Sequence, residues 1–316
     1  MKYQIVFRTN KGGLGIDHET ARAEFLAVFS RYGLEILEDL YGRRRMVVNI
    51  NLPPERITAP GSNLGYTQAI ILMREEPYLG EELSPEKKGR WYVGWARQSE
   101  LKMLFTEIYV QDEEDRLSNS PDQRGFLIEK DGQTIKAKGH KFHRGLSPLD
   151  AKFMFNISEL DSHNVILDPF AGFGGIVLEG RRRGFSIVAS DIDETLRPGL
   201  AEASNGKCVI CDANHLPFPT ASFDAIVTEP SFRRIHREFT LAALPELRRV
   251  LKSYGRITLL ISEGMYDAVT EILIQLGGML TSKYLLRRHG GLKCYVLRFD
   301  FNLVRNQHLP NTLFIT

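Results

Sequence analysis

The second half of the sequence predicts an α/β fold, a parallel sheet with helices on both faces, for three reasons. First, short β-branched runs alternate with helical runs from Val165 onward, and such alternation is typical of parallel sheets. Second, a glycine loop, residues 168–175, joins the first strand to the first helix. Third, two final β-rich runs, Leu280–Arg287 and Lys293–Phe299, are joined by a glycine turn. This last pattern predicts an antiparallel hairpin at the end of the sheet.

Each element of this sheet follows from its apolar pattern. Val165–Leu167 is predicted as the first strand, and Gly175–Arg183 as the helix that the glycine loop opens. Further strands are predicted at Ser186–Ser190, Lys207–Cys211, Phe223–Val227 and Arg256–Ile261, and helices at Glu194–Ser204, His236–Lys252 and Tyr266–Leu276. Pro245 lies inside the longest helical run, where a proline kinks or restarts a helix. Sheets of this kind bind ligands at the carboxyl ends of their strands.

The first part of the chain predicts a smaller α+β domain. Its pattern gives a strand at Tyr3–Phe7, a helix at Glu19–Tyr32 that Gly33 can cap, and a strand at Arg45–Ile50. The polar, turn-rich run 111–124 predicts a loop or linker. We therefore expect two domains, residues 1–139 and 140–316.

The composition indicates a globular protein and argues against a membrane-spanning, secreted or metal-binding one. The chain has 316 residues, of which 43% are hydrophobic and 25% charged, which is typical of a globular protein. It has no apolar run near the roughly 20 residues that span a bilayer, and its start is too short in apolar residues for a secretory signal. We therefore expect a cytoplasmic protein without a membrane partner. Cys208 and Cys211 have the spacing of half a zinc site, but nothing completes it, so we expect no metal.

The glycine loop has the features of a cofactor site. Glycine permits positive φ and lets a ligand approach the backbone closely. The G-x-G-G spacing and a carboxylate at the strand end disfavour a dinucleotide, because the carboxylate would repel a pyrophosphate. A carboxylate suits a cation instead, such as the amino group of an amino-acid-like ligand. The alternative is a tight turn without a ligand. The predicted cofactor-binding residues of the loop are Asp168, Pro169, Phe170, Ala171, Gly172, Gly174 and Gly175.

Two further strand ends carry carboxylates. Asp191 can accept both hydroxyls of a ribose, and Ile192 beside it can lie against a purine. At the next strand end Asp212, beside Ala213, can accept a hydrogen bond from an adenine amine. An Asx turn is an equally simple role for Asp212. We therefore expect these residues to bind a nucleoside cofactor together with the glycine loop.

The motifs DPFAGFGG, SDID, CDAN and FDAIVTEPSF, in this order, resemble those of class I S-adenosylmethionine-dependent methyltransferases. Within that class the likeness is greatest to the THUMP-associated tRNA guanine-N2-methyltransferases and their bacterial and archaeal relatives. A segment similar to Gly145–Asn156 precedes the glycine loop in that family. The resemblance covers about residues 140–300. It implies a Rossmann-like, seven-stranded sheet with a terminal antiparallel hairpin, S-adenosyl-L-methionine as cofactor and an RNA-binding domain before it.

The resemblance also implies a catalytic motif after the fourth strand. The family pattern Thr-Asp-Pro-Pro-Tyr-Gly corresponds here to residues 228–233. Glu229 and the Pro230 carbonyl would accept the hydrogens of a base amine, and Phe232 would stack on the base. Glu229 is one methylene longer than the family's aspartate, Ser231 replaces the second proline, and Arg233 replaces the glycine. The acceptor and the aromatic ring are retained, so we expect an active enzyme.

Basic residues around the motif suggest how substrate binds. We expect Ser231 and the arginines that follow it, Arg233, Arg234 and Arg237, to face an RNA substrate, most simply tRNA. A solvated basic turn is the alternative for the arginines. The predicted function is therefore an RNA methyltransferase that acts on the N2 amine of a guanosine, in tRNA. Two other functions stay open, namely a DNA amino-methyltransferase and a catalytically drifted protein that binds only cofactor or RNA. The need for a small activating subunit and the oligomeric state are also left open.

Overall fold

A computed structural model describes residues 1–8, 10–11, 14–76, 91–95, 102–110, 126–137, 146–288 and 291–301. The predicted boundary at 139/140 and the predicted linker at 111–124 lie outside these ranges. None of the described helices is long and apolar enough to cross a membrane.

The first part of the chain forms a six-stranded antiparallel sheet with helices. The described strands of this part of the chain, including a separate pair of short ones, are β1 (Lys2–Phe7), β2 (Asn10–Lys11), β3 (Leu14–Gly15), β4 (Glu35–Leu40), β5 (Arg45–Asn49), β6 (Thr67–Glu76), β7 (Trp91–Trp95) and β8 (Lys102–Val110). The helices are α1 (His18–Phe29) and α2 (Pro54–Gly61). The sheet order is β4-β5-β1-β6-β8-β7, and β2 and β3 pair only with each other. Alternate residues of β1 are buried, which marks the face that packs on the core.

A separate hairpin follows, formed by β9 (Phe126–Lys130) and β10 (Gln133–Ala137). Asp131 and Gly132 join the strands, and both have positive φ, 53° and 73°. Two-residue turns with this backbone favour Asp-Gly, so the sequence carries a signal for this hairpin, although it was not among the predicted elements. The hairpin packs on the second half of the chain, where the Phe126 ring lies edge-on to Phe173 in the glycine loop with ring centroids 5.2 Å apart.

The second half forms the predicted α/β sheet. Its strands are β11 (Val165–Asp168), β12 (Ser186–Asp191), β13 (Cys208–Ile210), β14 (Phe223–Thr228), β15 (Leu251–Ser262), β16 (Gly278–Arg287) and β17 (Lys293–Phe301). They lie in the order β13-β12-β11-β14-β15-β17-β16. The pairs among β11 to β15 are parallel, and β17 is antiparallel to both β15 and β16. The prediction of a parallel sheet with a terminal antiparallel hairpin is therefore confirmed.

Helices cover both faces of this sheet. They are α3 (Pro148–Ser158), α4 (Gly175–Arg182), α5 (Arg197–Ser204), α6 (Arg237–Val250) and α7 (Tyr266–Gln275). The predicted helix 194–204 is divided into a 3-10 turn, Glu194–Leu196, and α5, because Pro198 has no N–H and suits a first helical turn. Pro245 lies within α6, which continues past it as one helix.

Helix α3 joins the two halves. Phe153 on α3 stacks on Tyr66 beside β6, with ring centroids 4.9 Å apart. Asn156, one helical turn further along, donates to the buried Glu24 carboxylate at 2.9 Å. Arg183 at the end of α4 contacts both Asn156 and the backbone of the first half. The apolar core is accordingly continuous from β1 through α3 to β11 and β12.

Candidate active site

The glycine loop lies between β11 and α4, at the carboxyl end of the parallel sheet. Gly172 and Gly174 have φ of 50° and 73°, which other residues rarely adopt. A Cβ at Gly174 would also lie 3.1 Å from Cβ of Ala203 on α5, so this position requires glycine on both grounds. The loop therefore exposes backbone towards the crevice while packing closely on the helix behind it.

Asp168 ends β11 beneath this loop and is almost completely buried. The Thr228 hydroxyl at the end of β14 donates to it at 2.7 Å, and the Phe170 N–H donates at 3.4 Å. Burial raises the pKa of Asp168 to about 7, with a smaller contribution from the Asp191 charge, although both hydrogen bonds act to lower it. Among the described residues no cationic side chain pairs with Asp168. A buried carboxylate in this state would gain from a ligand that brings a positive charge.

Asp191 ends the neighbouring strand β12. Its two oxygens accept from the N–H groups of Gly172, at 2.8 Å, and Asp193, at 3.0 Å. Burial raises the pKa of Asp191 despite these hydrogen bonds. The next side chain, Ile192, is 58% exposed, which is unusual for isoleucine and leaves an apolar surface beside the carboxylate. Asp193 caps the turn that follows by accepting from the Thr195 N–H.

Asp212 follows β13 and has the geometry of an Asx turn, one of the two roles considered above. Its Oδ1 accepts from both the backbone and the side-chain nitrogen of Asn214, at 2.7 and 2.8 Å. Burial acts to raise the pKa of Asp212, but these hydrogen bonds and the nearby His215 lower it overall. Ala213 is buried beneath the turn. The turn fixes the carboxylate at the third strand end without occupying all of its acceptor positions.

The predicted catalytic motif begins at the carboxyl end of β14, beside the glycine loop. The Glu229 side chain is 13% exposed, Pro230 is buried, Phe232 is half-buried and Ser231 is exposed. The Arg288 guanidinium, from the end of β16, donates to Glu229 Oε1 at 2.7 Å. Burial acts to lower the pKa of Arg288, but Glu229 and Asp150 outweigh it and raise that pKa. Because β14 is parallel to β11 and β11 to β12, Glu229, which follows β14, lies at the same edge of the sheet as Asp168 and Asp191.

The predicted substrate-binding arginines are all exposed and follow the motif through the turn into α6. Among the described residues none of them forms an ion pair, so their charges face solvent. They are Arg233, Arg234 and Arg237.

Known proteins show which family this arrangement belongs to. A family model described as a methyltransferase domain matches residues 167–259, from β11 into β15. The chain contains a class I methyltransferase domain. The predicted resemblance is thus confirmed, and S-adenosylmethionine is the cofactor of this class of domain. The residues present fit this cofactor. The buried Asp168 suits its amino group, and the open glycine loop allows its close approach to the backbone. The exposed Ile192 beside Asp191 suits its adenosine.

Two curated relatives match part of this chain. The tRNA (guanine(10)-N2)-dimethyltransferase of Methanothermobacter thermautotrophicus is 35% identical over 107 residues, 31% of this chain and 32% of that protein. The ubiquinone/menaquinone biosynthesis C-methyltransferase of Azotobacter vinelandii is 29% identical over 154 residues, 43% of this chain and 60% of that protein. The chain therefore spans about a third of the first relative and three fifths of the second.

A solved structure matches almost the whole chain. TrmN from Thermus thermophilus superposes with a TM-score of 0.56 at 16% identity, covering 95% of this chain and 100% of that one. At this identity the likeness shows a shared fold, which includes the part before the methyltransferase domain.

Three residues beside the catalytic motif were not predicted from the sequence, namely Arg288, Asp150 and Tyr66. Arg288 Nη1 donates to Asp150 Oδ2 at 3.0 Å, and the Tyr66 hydroxyl donates to Asp150 Oδ1 at 2.5 Å. Arg288 belongs to a glycine turn in the sequence, and Asp150 stands in the first turn of α3, where acids are common. Neither position carries a local signal for its role.

Proposed function

We propose that the chain is an S-adenosylmethionine-dependent RNA methyltransferase that modifies the exocyclic N2 amine of a guanosine, in tRNA. The observation that supports this proposal is the motif Glu229-Pro230-Ser231-Phe232 directly after β14, the strand that pairs with β11 and whose last residue, Thr228, donates to Asp168. The partial likeness to a tRNA guanine-N2 enzyme supports the choice of base and RNA.

An exocyclic amine is a weak nucleophile because its lone pair is delocalised into the base. Glu229 and the Pro230 carbonyl would hold its two hydrogens, and Phe232 would stack on the ring. This orients the nitrogen and stabilises the positive charge that it develops. The cofactor supplies a methyl group on a sulfonium. When this methyl is transferred to the amine nitrogen, Glu229 would accept the proton that the nitrogen loses and pass it to water.

The exposed arginines after the motif support a nucleic-acid substrate. Arg233, Arg234 and Arg237 carry exposed charge within a few residues of Glu229, where phosphates flanking a target base would lie. A target base within a helix would have to flip out or be unpaired already. The overall net charge of +2 is small, so we place the attraction in this cluster.

Labelled methyl transfer tests the proposal. The protein is incubated with labelled S-adenosylmethionine and total tRNA, duplex DNA or a demethylated quinone. The nucleic acids are then digested to nucleosides and the quinone is extracted, and all products are analysed by mass spectrometry. We expect N2-methylguanosine from tRNA alone. Transfer only to DNA would identify an amino-methyltransferase of DNA, and transfer only to the quinone would identify a C-methyltransferase like the second relative. Cofactor binding without any product would show that the site has lost catalysis.

A further inference from the structure

Arg288 makes contacts that link the catalytic motif to the rest of the fold. Its side chain is 14% exposed, and its two terminal nitrogens reach different carboxylates, Asp150 Oδ2 at 3.0 Å and Glu229 Oε1 at 2.7 Å. A guanidinium is planar, so two such contacts fix the plane of the group. Each contact therefore restricts the direction of the other.

The contact between Arg288 and Asp150 is firmly anchored. The Asp150 side chain is completely buried and also accepts from the Tyr66 hydroxyl at 2.5 Å. Tyr66 is itself buried and stacked on Phe153. A chain of polar contacts thus runs from the first half of the protein through Asp150 to Arg288. Moving Arg288 away would break its ion pair with a completely buried carboxylate, which is strongly unfavourable.

Arg288 also contacts two of the predicted catalytic residues, Glu229 and Phe232. Arg288 Cζ lies 5.7 Å from the Phe232 ring centre, within the range of a cation–π contact, while Nη2 holds Glu229. Glu229 stands where the family pattern has aspartate, so its carboxylate has one more rotatable bond. Catalytic groups need to be held to about 0.5 Å, and a longer side chain needs an additional contact to reach that precision.

We propose that Arg288 is a positioning residue, which fixes the Glu229 carboxylate and the Phe232 ring for the incoming amine. This inference rests on the proposed role of Glu229. Arg288 need not touch the substrate or the cofactor. Glu229 has one more rotatable bond than the aspartate of the family pattern, so the position of its carboxylate depends more on such a contact.

The test compares Arg288→Lys with a matched control, Arg298→Lys. The Arg298 side chain is 8% exposed, against 14% for Arg288, and it also contacts two carboxylates, Asp300 at 2.7 Å and Glu159 at 2.9 Å. It lies at the other end of α3, where it donates to the Ile157 carbonyl. Each variant is assayed for stability in urea, for S-adenosylhomocysteine affinity, and for kcat and KM with the RNA substrate.

We expect both variants to lose stability but only Arg288→Lys to lose kcat, by about 10- to 100-fold, with KM and cofactor affinity within about two-fold. Equal kcat in both variants, corrected for the folded fraction, would overturn the inference. A double-mutant cycle of Arg288→Lys with Glu229→Gln needs no substrate. It should show coupling of about five-fold or more in the unfolding equilibrium, and additive effects would also overturn the inference. A wild-type protein without activity on RNA, but with this coupling, would refute the proposed function alone.

Discussion

Asp168→Asn should stabilise the protein without cofactor and weaken cofactor binding, and the stabilisation should depend on pH. Asparagine keeps the shape and can still accept the hydrogen bonds from Thr228 and Phe170. It removes an ionisable group whose pKa is about 7 in the folded protein against 3.8 ordinarily. Because the folded pKa is raised, the folded protein retains a proton that the unfolded chain has released between these values. The wild-type protein therefore loses stability as pH rises from about 4 to about 7.

The magnitude follows from the same shift of about three pKa units, since each unit is worth about 1.4 kcal/mol. Relative to its value at pH 4, the advantage of the variant should be about 1 kcal/mol at pH 5 and about 4 kcal/mol at pH 8. Urea unfolding of both proteins at these pH values measures the difference. Glu24, whose pKa burial also raises to about 7, titrates in both proteins and cancels.

Calorimetry with S-adenosylhomocysteine completes the experiment. Asp168→Asn should bind it at least about ten-fold more weakly, because a charge-assisted hydrogen bond to the amino group is lost. A stability gain that is the same at pH 5 and pH 8 would refute the argument from burial. Unchanged affinity would show that the amino group does not bind at Asp168.

Three other predictions test separate parts of the molecule. Glu229→Ala should lower kcat for methyl transfer by about 100-fold or more with nearly unchanged cofactor affinity, and wild-type turnover would remove Glu229 from the mechanism. Gly199→Ala should destabilise the protein by about 1–3 kcal/mol in urea, because the new Cβ would lie 2.2 Å from the Phe126 ring; undiminished stability would mean that the hairpin is not docked on α5. Replacing the exposed arginines by glutamine should weaken tRNA binding. It should also reduce the slope of the logarithm of the binding constant against the logarithm of salt concentration by roughly one for each phosphate that the variant no longer neutralises. Filter binding from low to high salt measures this slope, and an unchanged slope would exclude these arginines from the interface. These arginines are Arg233, Arg234 and Arg237.

The sequence predicted the parts of the site that lie at the ends of parallel strands. Asp168, Asp191 and Asp212 could be aligned because each follows a short apolar run, and parallel strands bring such ends to one edge. Arg288 could not be found in this way, because its partners Asp150 and Glu229 are 138 and 59 residues away and share no pattern with it. Strand β4 was missed for another reason. It is an edge strand with mostly exposed side chains, so its polar sequence lacks the apolar alternation of a buried strand.

The hairpin β9–β10 affects how the protein can be divided. It precedes the predicted boundary at 139/140, yet Phe126 packs against Phe173 and against the helix that carries Gly199. A fragment that starts at residue 140 would therefore lose the aromatic wall behind its own glycine loop. We expect the smallest fragment that retains full cofactor affinity to begin before Phe126, so that truncation, grafting or domain exchange in this protein should keep the hairpin with the second half.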